Sequence, residues 1–331
     1  MKEYLTQRNV RIDEDIIRQA LATLASGKHL ILIGPPGTGK TELACAIACA
    51  HDMKLVIKTA TSEWTRIDTI GGPIFKGGKV IWKSGVLLEA IVKAYTSRQG
   101  CILIIDEINR ANIDRAFGEF FTIFSSSDTS TWEIPSSILE EILEYSKSRE
   151  EMLVDEYAEK VLKLWNQFKG RFDGLKVPEN FRIIGTMNTF DRRYLFTLGS
   201  ALLRRFAIIE VTNPKIEDSE FKEIIVQYLP KSKVDVVDRI LRLYRSMRNF
   251  VELGIALLID TAKYITELIN HGEDNVRNAL DQAVSAIIIP QLEGLSIDKL
   301  RKIKQLLESE ELVFSSHLLY ELYPEISEAS L

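Results

Sequence analysis

The sequence predicts an α/β fold in which a parallel sheet is flanked by helices and followed by a C-terminal helical domain. Two short apolar runs, Leu30–Ile33 and Cys101–Ile105, have the length and composition of buried strands. The first leads through a glycine-rich loop into a helical stretch, an order that is typical of parallel sheets. From residue 219 onward the apolar residues recur at helical spacing, which predicts the helical domain.

The composition is ordinary for a folded globular protein. The 331 residues are 46% hydrophobic and 27% charged, with a formal net charge of −5. This balance gives no overall electrostatic footprint for nucleic acid, although it leaves room for a local basic groove in an assembly. No apolar run approaches the roughly 18 residues that span a bilayer, and Met1–Tyr4 does not begin a signal peptide, so we expect a cytoplasmic protein.

The three cysteines, Cys45, Cys49 and Cys101, are too few for a disulfide framework. Cys45 and Cys49 share a helical spacing and lie near His51, so a metal site is one interpretation of this cluster. Small buried thiols among alanines are the interpretation that we favour.

A phosphate-binding loop is predicted at residues 34–41, GPPGTGKT, which match G-x-x-x-x-G-K-[ST] between a strand and a helix. Its glycines let backbone N–H groups converge on phosphate oxygens, and the helix N-terminus adds the positive end of its dipole. Lys40 would reach the β and γ phosphates, and the Thr41 hydroxyl would ligate Mg²⁺. The predicted nucleotide-binding residues are Gly34, Pro35, Pro36, Gly37, Thr38, Gly39, Lys40, Thr41 and Glu42.

A β-hairpin is predicted between residues 71 and 85, where Gly77-Gly78 separates two apolar runs. Three aromatic residues in or near it, Trp64, Phe75 and Trp82, have two interpretations. They would either line a central pore and grip a polymer, or pack under the hairpin. Packing is favoured for Phe75 and Trp82, and Trp64 is left open.

Two adjacent carboxylates, Asp106 and Glu107, follow the buried run Cys101–Ile105. A solvated strand end is one explanation, because a carboxylate at the end of an apolar strand needs water, a donor or a cation. The other follows from the sheet: ligands bind beyond the carboxyl ends of parallel strands, where the loop at Gly34 also lies. There Asp106 would hold magnesium through water, and Glu107 would orient and deprotonate the attacking water.

A third strand, residues 180–188, ends in Asn188, which would position the γ phosphate or the water. Further on, Arg204 and Arg205 stand between apolar residues and a strand at 207–211. These arginines are either a solvated helix end or cations presented to the nucleotide of a neighbouring subunit, because charge on a transferred phosphoryl group favours a bidentate cation.

The α/β pattern ends near Thr212–Lys215, so the predicted domains are an α/β nucleotide-binding domain, 1–211, and a helical lid domain, 212–331. The first includes a helical insertion at about 125–180, whose apolar residues recur at helical spacing and predict a hairpin of helices. This insertion has two interpretations. It is either a solvated elaboration of the surface, or an arm that docks a partner or faces the pore.

These motifs resemble those of the AAA+ ATPases. Within that superfamily, the resemblance is to the McrB-like and MoxR-like group, which includes the dynein-related midasin modules. GPPGTGKTE resembles Walker A, ILIIDEINRAN the Walker B of that group, and IIGTMNTFDRRY its sensor 1 segment. ALLRRF resembles the arginine-finger box, ATSEWTRIDTIGG the stretch after Walker A, and IIIPQLEGL the helical lid. The resemblance covers roughly residues 10 to 300 and implies a P-loop AAA+ sheet with an α-helical lid.

The resemblance also implies roles for single residues. Lys40, Thr41, Asp106, Glu107 and Asn188 would have their usual roles around ATP, or GTP, and Mg²⁺. Arg204 or Arg205 would act in trans, on the nucleotide bound by a neighbouring subunit. The motif does not distinguish between these two arginines. The implied assembly is a homo-oligomeric ring, commonly a hexamer, with each active site at a subunit interface.

Three features depart from the family pattern. The stretch 252–257, where many lids present a sensor 2 arginine, contains none, and Arg245 or Arg248 would have to substitute. The insertion at 125–180 is longer than expected. The phosphate loop begins at residue 34, which leaves too little chain before it for the DNA-reading domain of restriction McrB proteins.

The sequence therefore favours a ring-forming NTPase that couples hydrolysis to remodelling or translocation of a macromolecule. One form is the motor subunit of a McrB-like DNA restriction or defence complex with a separate nuclease or adaptor subunit. The alternatives are a MoxR-like protein-remodelling chaperone and a non-hydrolysing nucleotide-gated scaffold. A G-domain switch rests only on the short match Asp68–Gly71, without a base-specificity motif.

Overall fold

The computed structural model describes residues 1–8, 10–126, 128–146, 153–168, 173–188, 204–213, 218–229, 234–251 and 253–327. The chain divides into two compact units. The first comprises Met1–Gly34 and Gly39–Val211, and the second comprises Pro35–Thr38 and Thr212–Leu331. The crest of the predicted phosphate loop, Pro35–Thr38, thus belongs to the same unit as the C-terminal helices.

A five-stranded parallel sheet forms the centre of the first unit, which confirms the predicted α/β class. Its strand order is β2-β5-β8-β1-β9. The remaining strands form an antiparallel hairpin, β3-β4, and a short pair, β6-β7. The strands are β1 (His29–Gly34), β2 (Lys54–Thr59), β3 (Gly71–Lys76), β4 (Lys79–Ser84), β5 (Cys101–Asp106), β6 (Glu133–Ile134), β7 (Leu175–Lys176), β8 (Phe181–Asn188) and β9 (Phe206–Glu210).

The register of this sheet brings the carboxyl ends of three strands together. Gly34 of β1 pairs with Asn188 of β8, and Ile105 of β5 pairs with Gly185 of the same strand. All three strands run in the same direction, so the phosphate loop, Asp106 and Asn188 follow at one edge.

Helices cover both faces of the sheet because alternate strand residues point to opposite sides. Ile31, Leu103 and Ile183 belong to one buried cluster, whereas Leu30 and Ile104 belong to the other. The described helices of this unit are α1 (Lys2–Gln7), α2 (Glu14–Ala25), α3 (Lys40–Ala50), α4 (Arg66–Thr69), α5 (Val86–Tyr95), α6 (Ile113–Ile123), α7 (Ser136–Ser146) and α8 (Glu156–Phe168).

The β3-β4 hairpin turns at Gly77 and Gly78, which both have positive φ, 58° and 79°. Trp82 is fully buried and Trp64 is 9% exposed, so both pack into the core of this unit. Phe75 is 77% exposed, so its predicted packing under the hairpin is wrong. It lies next to the turn, opposite Val80, beyond the reach of the core that covers Trp82.

The predicted helical insertion contains α7 and α8, and residues 147–152 between them lie outside the described part of the chain. The apolar faces of both helices belong to the large core cluster of the first unit. Backbone bonds join the segment before α8 to β4: Trp82 N–H donates to the Leu153 carbonyl (2.8 Å), and Asp155 N–H donates to the Trp82 carbonyl (3.2 Å). The insertion is therefore built into the core through the hairpin.

Two charged groups reinforce this connection. The Asp155 carboxylate accepts hydrogen bonds from Ser84 N–H (2.6 Å), from the Ser84 hydroxyl (2.7 Å) and from Ala158 N–H in the first turn of α8 (2.9 Å). The Arg66 guanidinium in α4 bridges Glu119 of α6 (3.1 Å) and Glu141 of α7 (2.7 Å).

The second unit is helical, with its own buried cluster. Its described helices are α9 (Asp218–Val226), α10 (Val234–Arg248), α11 (Ile255–Asn270), α12 (Val276–Ala283), α13 (Ile297–Ser309) and α14 (Val313–Leu322). α12 continues into irregular helical turns as far as Leu292, where Pro290 lacks an N–H for a regular helix. Asp281 accepts hydrogen bonds from the backbone N–H of Phe314 and Ser315, both at 2.8 Å, and so caps α14. Among the described residues, no helix is both long and apolar enough to cross a membrane.

Asp155→Ala should destabilise the first unit, because it removes the cap of α8 and leaves the Ser84 N–H without its acceptor. A loss of about 1–3 kcal/mol in the free energy of unfolding is expected from one unsatisfied, partly buried donor and one lost cap. Denaturant unfolding would measure it, with exposed Asp173→Ala as the matched control. Equal stability of the two variants would show that the insertion does not depend on this carboxylate.

Candidate functional site

The phosphate loop requires glycine at two positions. Gly37 and Gly39 have φ of 74° and 82°, a region that side chains strongly disfavour. Space adds a second constraint at Gly39, since a Cβ there would lie 2.4 Å from Val10 Cγ1. α3 begins directly after Gly39, so its first N–H groups stand at the loop as the sequence predicted.

Lys40, the first residue of α3, is only 7% exposed. Its Nζ donates to the Gly34 carbonyl at 2.9 Å, across the base of the loop. Burial lowers the pKa of Lys40 to about 8, and the negative charges of Asp106 and Glu107 partly offset that effect. A buried ammonium beside a glycine-rich loop is suited to bind phosphate. The negative charge of the phosphate would in turn favour the protonated form of Lys40.

Asp106 is held at the end of β5 by two hydroxyl groups from different elements. Thr41 Oγ1 donates to Asp106 Oδ1 at 2.7 Å, and Thr186 Oγ1 donates to the same oxygen at 2.6 Å. Both bonds fall on Oδ1, and no bond to Oδ2 is found among the described residues. Thr41 and Asp106 thus present a hydroxyl and a carboxylate oxygen side by side, which are ligands that Mg²⁺ prefers.

Glu107 has an unusual backbone for a glutamate, with φ 53° and ψ 45°. Its N–H donates to Thr186 Oγ1 at 3.0 Å. Its side chain contacts two groups: Asn188 Nδ2 approaches Oε1 at 3.4 Å, and Arg110 Nε pairs with Oε2 at 2.8 Å. The predicted pair Glu107 and Asn188 therefore does come together, with Arg110 as a further partner.

The structure separates the two predicted arginines. Arg205 Nη2 donates to the Phe121 carbonyl at 2.7 Å, and its Nε donates to the Phe124 carbonyl. Its guanidinium also lies over the Phe121 ring, 5.5 Å from the centroid. These carbonyls belong to the last turn of α6 and the residue after it, where a cation is favourable. Arg204 is exposed, whereas Leu202 and Leu203 before it lie outside the described residues.

Within the second unit, the loop crest packs against the start of α11. A Cβ on Gly254 would lie 2.6 Å from the Pro36 carbonyl oxygen and 2.7 Å from the carbonyl carbon of Gly37, so this position has no room for a side chain. Thr38 Oγ1 donates to the Pro35 carbonyl at 2.9 Å and closes the crest on itself. The contact between crest and helix is therefore made by the backbone.

The other sequence candidates lie as follows. Glu42 pairs with Arg8 at 3.4 Å. Arg245 and Arg248, the candidate sensor 2 residues, are both exposed on α10, and Arg248 lies over the rings of Phe221 and Tyr244. Glu252 lies outside the described residues.

The cysteine and histidine cluster does not form a metal site in the part of the chain that the structure describes. Cys45 is buried and Cys49 is exposed, so the favoured interpretation as buried thiols is correct for Cys45 and wrong for Cys49. No group of three or more His, Cys, Asp and Glu ligands occurs among the described residues.

Sequence reasoning missed Thr186 and Arg110. Arg110 lies in the quoted motif DEINRAN, three residues after Glu107, a spacing that allows an ion pair when the chain turns. Thr186 lies two residues before Asn188 and so points to the same face of β8. Its hydroxyl, close to the apolar residues Ile184 and Met187, was the signal that could have identified it.

The nucleotide affinity should fall as pH rises above about 8, the pKa of Lys40 in the nucleotide-free protein. Bound phosphate raises this pKa, so binding at higher pH requires proton uptake, and the affinity falls by up to about tenfold per pH unit. Titration of a fluorescent ATP analogue between pH 7 and 9.5 would measure it. Lys40→Arg, charged throughout, should lack this slope, and a flat wild-type profile would contradict the assignment.

Comparisons with known proteins agree with this geometry. The model of the AAA domain, dynein-related subfamily, matches residues 29–206, which include the loop, Asp106, Glu107, Asn188 and both arginines. The type IV methyl-directed restriction enzyme EcoKMcrB subunit of Escherichia coli K12 is 29% identical over 222 residues, 65% of this chain and 42% of that protein. The chain therefore spans less than half of that relative.

Two further proteins are similar over different extents. Protein NorQ of Paracoccus denitrificans is 30% identical over 102 residues, 31% of this chain and 35% of NorQ. The solved structure of RuvB from Thermotoga maritima aligns with a TM-score of 0.41 at 20% identity, over 89% of this chain and 76% of RuvB. Because the family model matches more than half of the residues and spans the whole candidate site, the chain belongs to the dynein-related subfamily of AAA+ P-loop NTPases, of the McrB-like and MoxR-like kind.

Proposed function

We propose that this chain is a ring-forming AAA+ NTPase that couples hydrolysis of ATP, or GTP, to the remodelling or translocation of a macromolecule. The observation that carries the proposal is the arrangement at the carboxyl edge of the sheet. There the Thr41 hydroxyl contacts Asp106 at 2.7 Å, and the Asn188 amide contacts Glu107 at 3.4 Å. A scaffold that only binds nucleotide has no need of the second pair.

Each of these residues has a separate role in the proposed hydrolysis. The loop from Gly34 to Thr41 binds the phosphates with its backbone N–H groups, and Lys40 contacts the β and γ phosphates. Mg²⁺, when bound, neutralises charge on the phosphates, and Thr41 together with Asp106, through water, would hold it. Glu107 accepts a proton from the attacking water.

The ion pair between Glu107 and Arg110 adds a condition to this scheme. The Glu107 Oε2 atom lies 2.8 Å from Arg110 Nε, so this oxygen already has a donor. In the proposed cycle Glu107 leaves Arg110 when it contacts the water, while Asn188 remains in reach of both the water and the γ phosphate.

We assign the trans-acting role to Arg204 and a supporting role to Arg205. The Arg205 guanidinium is already bonded to the carbonyls of Phe121 and Phe124, which fixes it to α6. Arg204 is exposed and next to that anchor, so it can be presented to the nucleotide of a neighbouring subunit. A ring, hexameric by family resemblance, would place every site at such an interface.

The substrate that we favour is a nucleic acid, with a separate nuclease or adaptor subunit. The relative EcoKMcrB is named as a subunit of a methyl-directed restriction enzyme. The β3-β4 hairpin adds a feature of this chain: residues 71–84 contain Lys76, Lys79 and Lys83 and no acidic residue. Exposed Phe75 lies beside Lys76 at the turn, and an aromatic ring flanked by lysines suits a nucleic-acid strand.

A protein-remodelling chaperone is the second candidate. The MoxR-like resemblance of the motifs favours it, as does the net charge of −5, which does not favour nucleic acid overall. Stimulation of hydrolysis by DNA would support the first candidate, and stimulation by an unfolded protein the second.

Mixing two inactive variants tests the shared site. Glu107→Gln and Arg204→Ala should each bind nucleotide but hardly hydrolyse it. A mixture of the two contains interfaces that combine an intact Glu107 with an intact neighbouring Arg204. Random assembly of equal amounts should therefore restore about a quarter of the wild-type rate.

The control mixture is Glu107→Gln with Lys40→Ala. Glu107 and Lys40 both belong to the subunit that binds the nucleotide. Every subunit in this mixture lacks one of these two residues, so the mixture should stay inactive. Failure of the first mixture to recover activity, or recovery of the control, would refute a site shared in this way.

A further inference from the structure

Thr186 is a buried polar residue near the carboxyl end of β8, and it has no role in the proposed hydrolysis as described above. Its exposure is 1%, and it lies on β8 immediately after Gly185, the residue that pairs with Ile105 of β5. This register places Thr186 directly beside the end of β5, where the chain leaves the sheet at Asp106 and Glu107.

The Thr186 hydroxyl connects both acidic residues at once. It donates its proton to Asp106 Oδ1 at 2.6 Å and accepts the backbone N–H of Glu107 at 3.0 Å. A hydroxyl has one donor and two acceptor positions, so the two bonds are compatible with each other. Among the described residues, no other atom forms hydrogen bonds with both the Asp106 carboxylate and the Glu107 backbone.

The two bonds have different consequences. The bond to Asp106 fixes one carboxylate oxygen and with it the plane of the carboxylate, so that Oδ2 is presented in one direction. The bond to Glu107 holds a backbone with φ 53°, a left-handed conformation that is unfavourable for a residue with a side chain. That conformation decides where the Glu107 side chain leaves the strand end.

Packing alone does not explain a threonine at this position. Valine has the same shape and suits a buried parallel strand better, because it has no hydroxyl to satisfy. The neighbouring residues Met187 and Ile184 are apolar and fully buried. The hydroxyl is therefore the property that distinguishes Thr186 from the residues that a sheet core requires.

We propose that Thr186 is a positioning residue that sets the Asp106 carboxylate for Mg²⁺ and the Glu107 backbone for water activation. This inference rests on the proposed NTPase function and extends it to a residue that does not touch the nucleotide. Thr186 and Asn188 share one face of β8, so one strand contacts Glu107 at both its backbone and its side chain. A shift of β8 against β5 would disturb both acidic residues together.

The test compares Thr186→Val, which removes the hydroxyl and keeps the shape, with Thr186→Ser, which keeps the hydroxyl. Thr261→Val is the matched control, because Thr261 is also buried and donates only to the Leu257 carbonyl in its own helix. The first readout is Mg²⁺ affinity in the presence of a non-hydrolysable ATP analogue, measured by titration calorimetry. The second is the hydrolysis rate, and the third is nucleotide binding in EDTA.

Thr186→Val should weaken Mg²⁺ binding or lower the hydrolysis rate by about 10–100-fold, the usual effect of losing a partner of a metal ligand. Binding in EDTA should stay unchanged, because the Thr186 hydroxyl donates to Asp106 and not to a residue of the loop. Thr186→Ser should recover most of the loss, and Thr261→Val should behave as wild type. Wild-type values for Thr186→Val, or a serine variant as impaired as the valine variant, would overturn the proposal.

Two further comparisons keep the outcome interpretable. If Thr186→Val does not fold, Thr186→Cys replaces it, since a thiol of similar size is only a weak hydrogen-bonding group. A wild-type protein that binds Mg²⁺ and nucleotide but does not hydrolyse would refute the proposed NTPase function. The calorimetric comparison would still decide whether Thr186 positions Asp106.

Discussion

One constraint organises the first unit: a carboxylate, Asp106, stands at the end of a strand that is otherwise completely buried. Such a group is costly without partners. Here the hydroxyls of Thr41 and Thr186 supply them, one from the first turn of α3 and one from the adjacent strand. The phosphate loop, β5 and β8 are thus joined at a single oxygen, and the geometry of the candidate site depends on that junction.

The same junction explains why the site is assembled from segments far apart in the chain. The parallel register aligns Gly34, Asp106 and Asn188 at one edge, and the hydroxyl bonds then fix the side chains within that edge. In the second unit the crest of the loop meets the start of α11 at Gly254 through backbone atoms. The absence of an arginine from the stretch 252–257 is consistent with a contact that has no space for a side chain.

Much of this arrangement could be predicted because its signals are local. The strand, glycine loop and helix around Lys40 follow one another in sequence, and the apolar run before Asp106 is continuous, so their order and the edge of the sheet follow directly. The features that could not be predicted depend on tertiary contacts. The bond from Thr186 to Asp106 depends on which strands pair, and the anchoring of Arg205 on α6 depends on a helix that ends some 80 residues earlier. Phe75 was misplaced because an apolar residue in a hairpin does not reveal whether the core extends to the turn.

The most direct test of a nucleotide site completed by a neighbouring subunit is the hydrolysis rate per subunit over a wide range of protein concentration. It should be measured with ATP and with GTP, with and without Mg²⁺. A shared site predicts a rate that rises steeply with concentration, levels off once rings have formed, and disappears without Mg²⁺. A rate per subunit that is the same at every concentration would contradict it and would place the complete catalytic machinery within one chain.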